Sequence, residues 1–124
     1  MGADLQQWAS RKAHHQTTEK NMVHVIALVT AKPGQRAAIL EAIRANLPAV
    51  RAEHGCIEYG PAIDTEDVGP FQAKLGPDTL MVIEKWADVA ALRAHAAAPH
   101  MAAYAAKVKD LIASRAIHVL SAAT

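Results

Sequence analysis

The strand predicted to begin at Val23 has two apolar faces, and this feature restricts the possible folds more than any other. The letters VHVIALVT, from Val23 to Thr30, predict a strand. Successive side chains of a strand point to opposite faces. One face would carry Val23, Val25, Ala27 and Val29, and the other His24, Ile26, Leu28 and Thr30. Both faces therefore need a cover. In a 124-residue chain helices can cover one face, and a second subunit is expected to cover the other.

A helix is predicted after the Lys-Pro-Gly turn, from about Gln35 to His54. Its apolar residues recur at helical spacing, namely Ile39, Ile43, Leu47 and Val50. Pro48 lies inside this pattern, so a kink or the start of a new segment is expected there. Gly55 should end the helix. The letters CIEYGPAI then predict a second strand from Cys56 to about Ile63.

The connection TEDVGPFQAKLGPD, residues 65–78, is long and contains two Gly-Pro steps. Long loops in compact domains are often functional. The alternative is a wide hairpin with a short extra strand from about Phe71 to Leu75. The sequence does not separate these two interpretations.

The letters TLMVIEKWA, residues 79–87, predict the third strand. Four of its residues share one face by the two-residue period: Leu80, Val82, Glu84 and Trp86. Asp88 can cap a helix that runs through Leu92 to Ala98, and Pro99 ends that helix and starts another. The second segment has a core stripe of Met101, Tyr104, Val108 and Leu111. RAIHVLS, residues 115–121, is predicted as the last strand.

The predicted order is β-α-β-β-α-β, the ferredoxin-like arrangement of a four-stranded antiparallel sheet with helices on one face. The other face of this sheet is apolar, so two sheets should stack back to back in a homodimer. Residues 1–21 are polar, show no clear period and include His14 and His15. We therefore expect an N-terminal arm or leader over residues 1–21 and one domain over residues 22–124.

Composition excludes several classes of function. Lys and Arg total 13 and Asp and Glu total 12, for a net charge of +1, and the basic residues are spread along the chain. Neither this charge nor the five aromatic residues favours nucleic-acid binding. Cys56 is the single cysteine, so no internal disulfide is possible. No apolar run is long enough for a membrane span, and no signal-peptide pattern is present. The sequence thus predicts a soluble, cytoplasmic protein with no membrane partner.

The span from Val82 to Tyr104 gathers the polar, titratable and aromatic side chains that invite a functional interpretation: Glu84, Trp86, His95, His100 and Tyr104. Trp86 is either a core tryptophan beneath the helices or a wall on which a flat substrate stacks. Glu84 lies on an apolar face. It is therefore either paired, for example with Arg93, or a base of raised pKa or a group that orients a histidine.

His95 and His100 flank Pro99. Each is either a partly exposed histidine at a helix end or one member of an acid–base pair at a cavity mouth, because imidazole exchanges protons near neutral pH. Tyr104 lies one turn after His100 and could hydrogen-bond it. Glu84 and the two histidines match a 2-His-1-carboxylate set in type, but their spacing matches no metal-site signature, so no metal is predicted. Phosphate-loop, nucleophile-elbow and zinc-protease motifs are also absent from the sequence.

Three stretches, HVIALVTAKPGQ, GCIEY and VIEKWADVAALRAHAAAPHMAAY, together resemble the antibiotic biosynthesis monooxygenase family. The most specific part is the strand-end Glu-x-Trp of Glu84 and Trp86, followed by LRAHAAAPH with His95 and His100. The resemblance covers Val23 to about Ser121. It implies a dimeric α+β barrel of ferredoxin-like subunits.

The resemblance also implies a function. Members of the family include small cofactor-free monooxygenases that oxidise quinols or polycyclic phenols, with molecular oxygen as co-substrate. On this chain, His95 or His100 would remove a phenolic proton, with Glu84 as a third catalytic group. The substrate supplies the electrons, so no cofactor is implied. The side chains expected to hold the flat ring are Trp86, Tyr104, Phe71 and Met101.

Two other functions stay open alongside this one. A haem-degrading branch of the family is characterised by an Asn–Trp–His set of residues. Trp86 could match the tryptophan of that set. The first strand has no Asn near Val25 and Ile26, so haem binding or degradation is the weaker of the two alternatives. A non-catalytic dimeric module, binding a small molecule or associated with stress, is the main alternative, because a shared fold does not guarantee shared chemistry.

Overall fold

The computed structural model describes residues 20–124. The predicted N-terminal arm, with His14 and His15, lies outside the described residues except for its last two positions. In chain order the elements are β1 (Val23–Ala31), α1 (Arg36–Arg51), β2 (Cys56–Ala62), β3 (Thr79–Trp86), α2 (Val89–Ala96), α3 (Pro99–Val108) and β4 (Ile112–Leu120). The strands form one antiparallel sheet in the order β2-β3-β1-β4. The ferredoxin-like fold is confirmed, with the second helix divided into α2 and α3.

β1 is a central strand of the sheet. It pairs with β3 along one edge and with β4 along the other. Its alternate residues from Val23 to Ala31 are buried beneath the helices, and the residues between them are only partly buried. The two-faced pattern predicted for this strand is therefore confirmed. We call the second face the open face; its apolar residues are Ile26, Leu28, Met81, Ile83 and Leu120.

α1 continues through Pro48, so the new segment that the sequence allowed at this proline does not form. Proline removes one N–H from a helix and crowds the carbonyl four residues earlier. Pro48 stands in the last turn of α1, and its own carbonyl accepts the N–H of Ala52 at 3.1 Å, so the end of the helix still closes. α1 ends at Arg51 instead of His54, because residues 52–55 form a turn.

The connection between β2 and β3 contains no further strand, so the hairpin interpretation with a strand near Phe71 is wrong. The loop is closed at its base by Asp64. Its carboxylate accepts the backbone N–H groups of Leu75 and Gly76, both at 2.9 Å. These two hydrogen bonds lower the pKa of Asp64.

α2 and α3 begin as the sequence predicts. The Asp88 carboxylate caps α2 by accepting the N–H of Ala91 at 2.8 Å, and Pro99 is the first residue of α3. β4 begins at Ile112, earlier than the predicted Arg115, because residues from Ile112 onward already pair with β1. Within residues 20–124, no helix has the length and apolar character needed to cross a membrane.

Gly55 lies in the turn between α1 and β2 and packs against the start of α2. Its φ of +82° lies in the left-handed region. A Cβ added here would stand 2.5 Å from the Cβ of Ala91, and the Gly55 carbonyl accepts the N–H of Ala87 at 2.8 Å. This close approach sets where Glu53, two residues earlier, lies relative to α2.

Replacing Gly55 should therefore destabilise the protein. Gly55→Ala is expected to lower the free energy of unfolding by about 2–4 kcal/mol, because it adds a steric clash to an unfavourable backbone conformation. Gly34→Ala is the matched control: its φ is +78°, but nothing lies within 4 Å of the added Cβ. Urea unfolding of both variants separates the steric clash from the cost of the backbone conformation. Equal losses of unfolding free energy in the two variants would show that the contact with Ala91 contributes nothing.

Candidate active site

A cavity of about 650 Å³ lies between the helix-covered face of the sheet and the α2–α3 segment, with β4 along one side. Val25, Ala27 and Val29 of β1 form its floor, and most of its walls are aliphatic. The side chains that bring polar atoms to it are Tyr59, Glu84, His95, Tyr104, Lys109 and Arg115. An apolar cavity with a few convergent polar groups is the usual form of a small-molecule site.

His95 enters the cavity from α2 and is held by Glu53. Its Nδ1 lies 2.7 Å from Oε2 of Glu53, and the residue is 5% exposed. An ionised carboxylate can only accept a hydrogen bond, so in the neutral imidazole the proton lies on Nδ1. Nε2 then keeps its lone pair. This is the tautomer that a general base requires.

Aromatic rings complete the surroundings of His95. The Trp86 ring centroid lies 4.7 Å from that of His95, and the Tyr59 centroid lies 5.4 Å away. Together with Glu53, these contacts hold the imidazole in one orientation. Burial is the largest cause of a raised pKa for the Tyr59 hydroxyl, and the Glu84 charge adds to it. Tyr59 therefore stays neutral and can act as a hydrogen-bond donor.

His100 lies beside Glu53 and does not line the cavity. Its Nε2 is 3.6 Å from the same Glu53 oxygen that bonds His95. Both ring nitrogens of His100 are buried and have no hydrogen-bond partner among residues 20–124. The two histidine rings thus lie 6.5 Å apart, centroid to centroid, and both approach the same Glu53 oxygen, but only His95 lines the cavity.

Glu84 and Trp86 form a buried pair. The indole Nε1–H of Trp86 donates to Oε1 of Glu84 at 2.9 Å. Trp86 is fully buried and does not line the cavity, so the core interpretation holds and its predicted contact with a substrate ring is corrected. Glu84 does line the cavity and is not paired with Arg93. Burial raises the pKa of Glu84, while the Trp86 hydrogen bond and the charge of His95 oppose the rise.

The remaining predicted contact residues divide into two groups. Tyr104 and Met101 line the cavity from α3, and the Met101 sulfur accepts a hydrogen bond from Nδ2 of Asn46 at 3.3 Å. No bond between Tyr104 and His100 occurs among the described residues. Phe71 is 81% exposed on the β2–β3 loop and does not reach the cavity, because Asp64 closes that loop on itself. The prediction that Phe71 holds the ring is corrected on this ground.

Glu53, Tyr59 and Arg115 are site residues that the sequence did not suggest. Tyr59 and Arg115 had a usable signal: each sits at an inward position of its strand, Tyr59 opposite Glu84 and Arg115 opposite Val29. Glu53 had no comparable signal, since it lies in a turn and its partner is 42 positions away. Among the described residues, no three His, Cys, Asp or Glu side chains converge as metal ligands.

Comparison with known proteins gives a consistent result. A family model described as antibiotic biosynthesis monooxygenase matches residues 22–107. The probable quinol monooxygenase YgiN of Escherichia coli (strain K12) is 38% identical over 101 residues, which cover 80% of this chain and 96% of that protein. The crystal structure of PA3566 from Pseudomonas aeruginosa is 27% identical with a TM-score of 0.69, covering 86% of this chain and 98% of that chain. Rv0793 from Mycobacterium tuberculosis is also 27% identical, with a TM-score of 0.68 and coverage of 83% and 96%. The family resemblance inferred from the sequence is confirmed.

Glu84 should make stability depend on pH in a defined direction. Burial raises its pKa above the ordinary 4.5 in the folded state, so the folded protein holds a proton that the unfolded chain has released. The stability gained from this group is complete below about pH 4.5 and is lost as the pH rises through the folded pKa. Glu84→Gln, which stays neutral, should therefore gain stability relative to wild type as the pH rises.

The measurement is urea unfolding of wild type and Glu84→Gln at several values from about pH 4 to about pH 8. Glu41→Gln, which removes an exposed carboxylate from α1, is the control. Parallel stability curves for wild type and Glu84→Gln would contradict the expected effect of burial.

Proposed function

Because the chain belongs to the antibiotic biosynthesis monooxygenase family, we propose that it oxidises a quinol or a polycyclic phenol with molecular oxygen and without a cofactor. The observation that carries the proposal is His95, held by Glu53 at 2.7 Å and lining an apolar cavity. The relative named as a probable quinol monooxygenase supports a quinol as the substrate class.

His95 acts first, as the base. Its Nε2 accepts the proton of a phenolic hydroxyl, which leaves an electron-rich phenolate and an imidazolium. The Glu53 carboxylate stabilises the imidazolium through the Nδ1–H hydrogen bond, as the carboxylate of a catalytic triad does for its histidine. This step prepares the substrate and requires no other charged group.

The phenolate then gives one electron to oxygen, and the resulting substrate radical and superoxide combine to form a carbon–oxygen bond. The peroxide takes the proton back from the His95 imidazolium, and loss of water with the hydrogen of that carbon leaves a carbonyl there. One oxygen atom of O₂ enters the substrate and the other leaves as water, and the substrate supplies all the electrons. The protein contributes a proton acceptor, a fixed position for the ring and exclusion of water.

Glu84 and His100 have supporting roles in this proposal. The raised pKa of Glu84 favours its neutral form, which can donate a hydrogen bond to a second oxygen of the substrate. His100 acts through Glu53, because its Nε2 lies 3.6 Å from the carboxylate and its ring does not line the cavity. It is a positioning residue, whereas His95 is a catalytic residue. Tyr104 and Met101 hold the ring.

Oxygen consumption by chelator-treated protein tests the reaction on a panel of hydroquinones and polycyclic phenols. His95→Ala is expected to lower kcat by about 10²–10⁴, the usual contribution of a general base. His100→Ala should have a smaller effect, and the double variant should resemble His95→Ala. His54→Ala removes an exposed histidine that does not line the cavity and serves as the control.

Two results would count against the proposal in different ways. Oxygen uptake that is unchanged in the double variant would show that neither His95 nor His100 acts as the base. Uptake that never exceeds the autoxidation blank would favour the non-catalytic binding module instead.

We further propose that the protein is a homodimer formed through the open face. Ile26, Leu28 and Met81 lie there only partly buried, and Ile83 is 37% and Leu120 50% exposed. Lys85 and Glu58, whose side chains approach to 3.8 Å, lie at the margin of this apolar face. Stacking two such sheets would remove the apolar side chains from water and form an α+β barrel.

Ile83→Glu should disrupt this dimer, because it places a charge at the centre of the interface. Light scattering after size exclusion is expected to give wild type a mass of twice 13.2 kDa and Ile83→Glu the mass of one chain. Ala45→Glu adds the same charge to an exposed position of α1 and should leave the mass unchanged. A wild-type protein that is monomeric at all concentrations would refute the proposed dimer.

A further inference from the structure

Two cationic side chains line the cavity and have no part in the proton transfer. Arg115 projects from β4, and Lys109 follows the end of α3. Among residues 20–124, neither forms a salt bridge. Positive groups beside an otherwise apolar cavity attract an anion, and the guanidinium of arginine matches the planar geometry of a carboxylate.

The strand register places Arg115 far from Glu84 on the sheet. Arg115 pairs with Val29, and Glu84 pairs with Val25 on the opposite side of β1. The two backbone positions are thus separated by roughly 13 Å along β1 and by roughly 10 Å across the sheet. The cavity therefore has one end with the base His95 and with Glu84, and a cationic end with Arg115 and Lys109.

Tyr104 lies near the cationic end. Tyr104 and Arg115 line the same cavity, and the positive charge of Arg115 opposes the rise in the pKa of Tyr104 that burial causes. A substrate ring in contact with Tyr104 and Met101 would thus be within reach of Arg115. The separation of the two ends suits an elongated aromatic molecule better than a single ring.

We infer that the cavity takes an elongated hydroxyaryl acid, with its reacting hydroxyl at His95 and a carboxylate at Arg115 and Lys109. The orientation rests on the proposed function, which places the hydroxyl at the base. The reverse orientation is unfavourable because the Glu53 carboxylate beside His95 would repel the carboxylate of the ligand. Arg115 is the specificity-determining residue, and Lys109 supports it.

A matched pair of ligands that differ only in charge tests this inference. The probes are 6-hydroxy-2-naphthoate and the neutral 6-hydroxy-2-naphthamide, whose fluorescence reports binding without turnover. Wild type should bind the naphthoate about tenfold more tightly than the amide at low ionic strength, the difference that one charge-assisted hydrogen bond provides. Added salt should reduce this preference.

Arg115→Gln should reduce the preference to about twofold or less while leaving the affinity for the amide nearly unchanged. Lys109→Gln should reduce it by a smaller factor. Arg93→Gln removes the same charge from an exposed position of α2 that does not line the cavity, and it should keep the full preference.

Equal binding of the two probes to wild type would overturn the inference, as would failure to bind either probe or a preference that survives in the Arg115→Gln, Lys109→Gln double variant. None of these results bears on the proposed reaction, which oxygen consumption with uncharged hydroquinones tests separately. Binding with the expected preference, but without oxygen consumption, would support the anionic ligand and refute the monooxygenase.

Discussion

β1 is hydrogen-bonded along both edges and carries apolar side chains on both faces. The covalent chain can place helices over only one face of this sheet. That face becomes the floor of the cavity, and the other face stays open. The position of the site and the proposed self-association therefore arise from the same strand, and a change that weakened its pairing would disturb both.

The cavity exists because the residues that cover part of the sheet are small. Ala96, Ala102 and Ala105 line it from α2 and α3. Folded interiors are otherwise packed as densely as organic crystals, and larger side chains at these three positions would fill the space above Val25 and Ala27. The alanine-rich character of the segment from Val89 to Val108 thus keeps the volume of the cavity free.

Much of this arrangement could be predicted from periodicity. The two-residue period placed Glu84 and Trp86 on the inner face of β3, and the break at Pro99 divided the second helix as expected. Periodicity could not show which inward residue lines the cavity. That depends on the position of the residue along the strand and on how far the covering helices extend. Trp86 therefore proved to be core, whereas Glu84 lines the site.

The contact of Glu53 with His95 lay beyond any local pattern. It depends on the turn at Gly55, where the end of α1 meets the start of α2 at a distance that only glycine allows. Pro48 starts no new segment for a different and local reason, since a proline in the last turn of a helix disturbs few hydrogen bonds. A contact between distant segments therefore decides the position of Glu53, whereas the place of the proline within its own helix decides the course of α1.

The loop between β2 and β3 is closed at its base by Asp64 and contributes no residue to the lining of the cavity. Lengthening a surface loop whose ends are already fixed adds little entropy cost, about 0.6 kcal/mol for each doubling. The segment is thus free to gain or lose residues over evolutionary time without moving the strands that carry Tyr59 and Glu84. Sequence divergence in this loop and divergence in ligand preference can consequently proceed independently of each other.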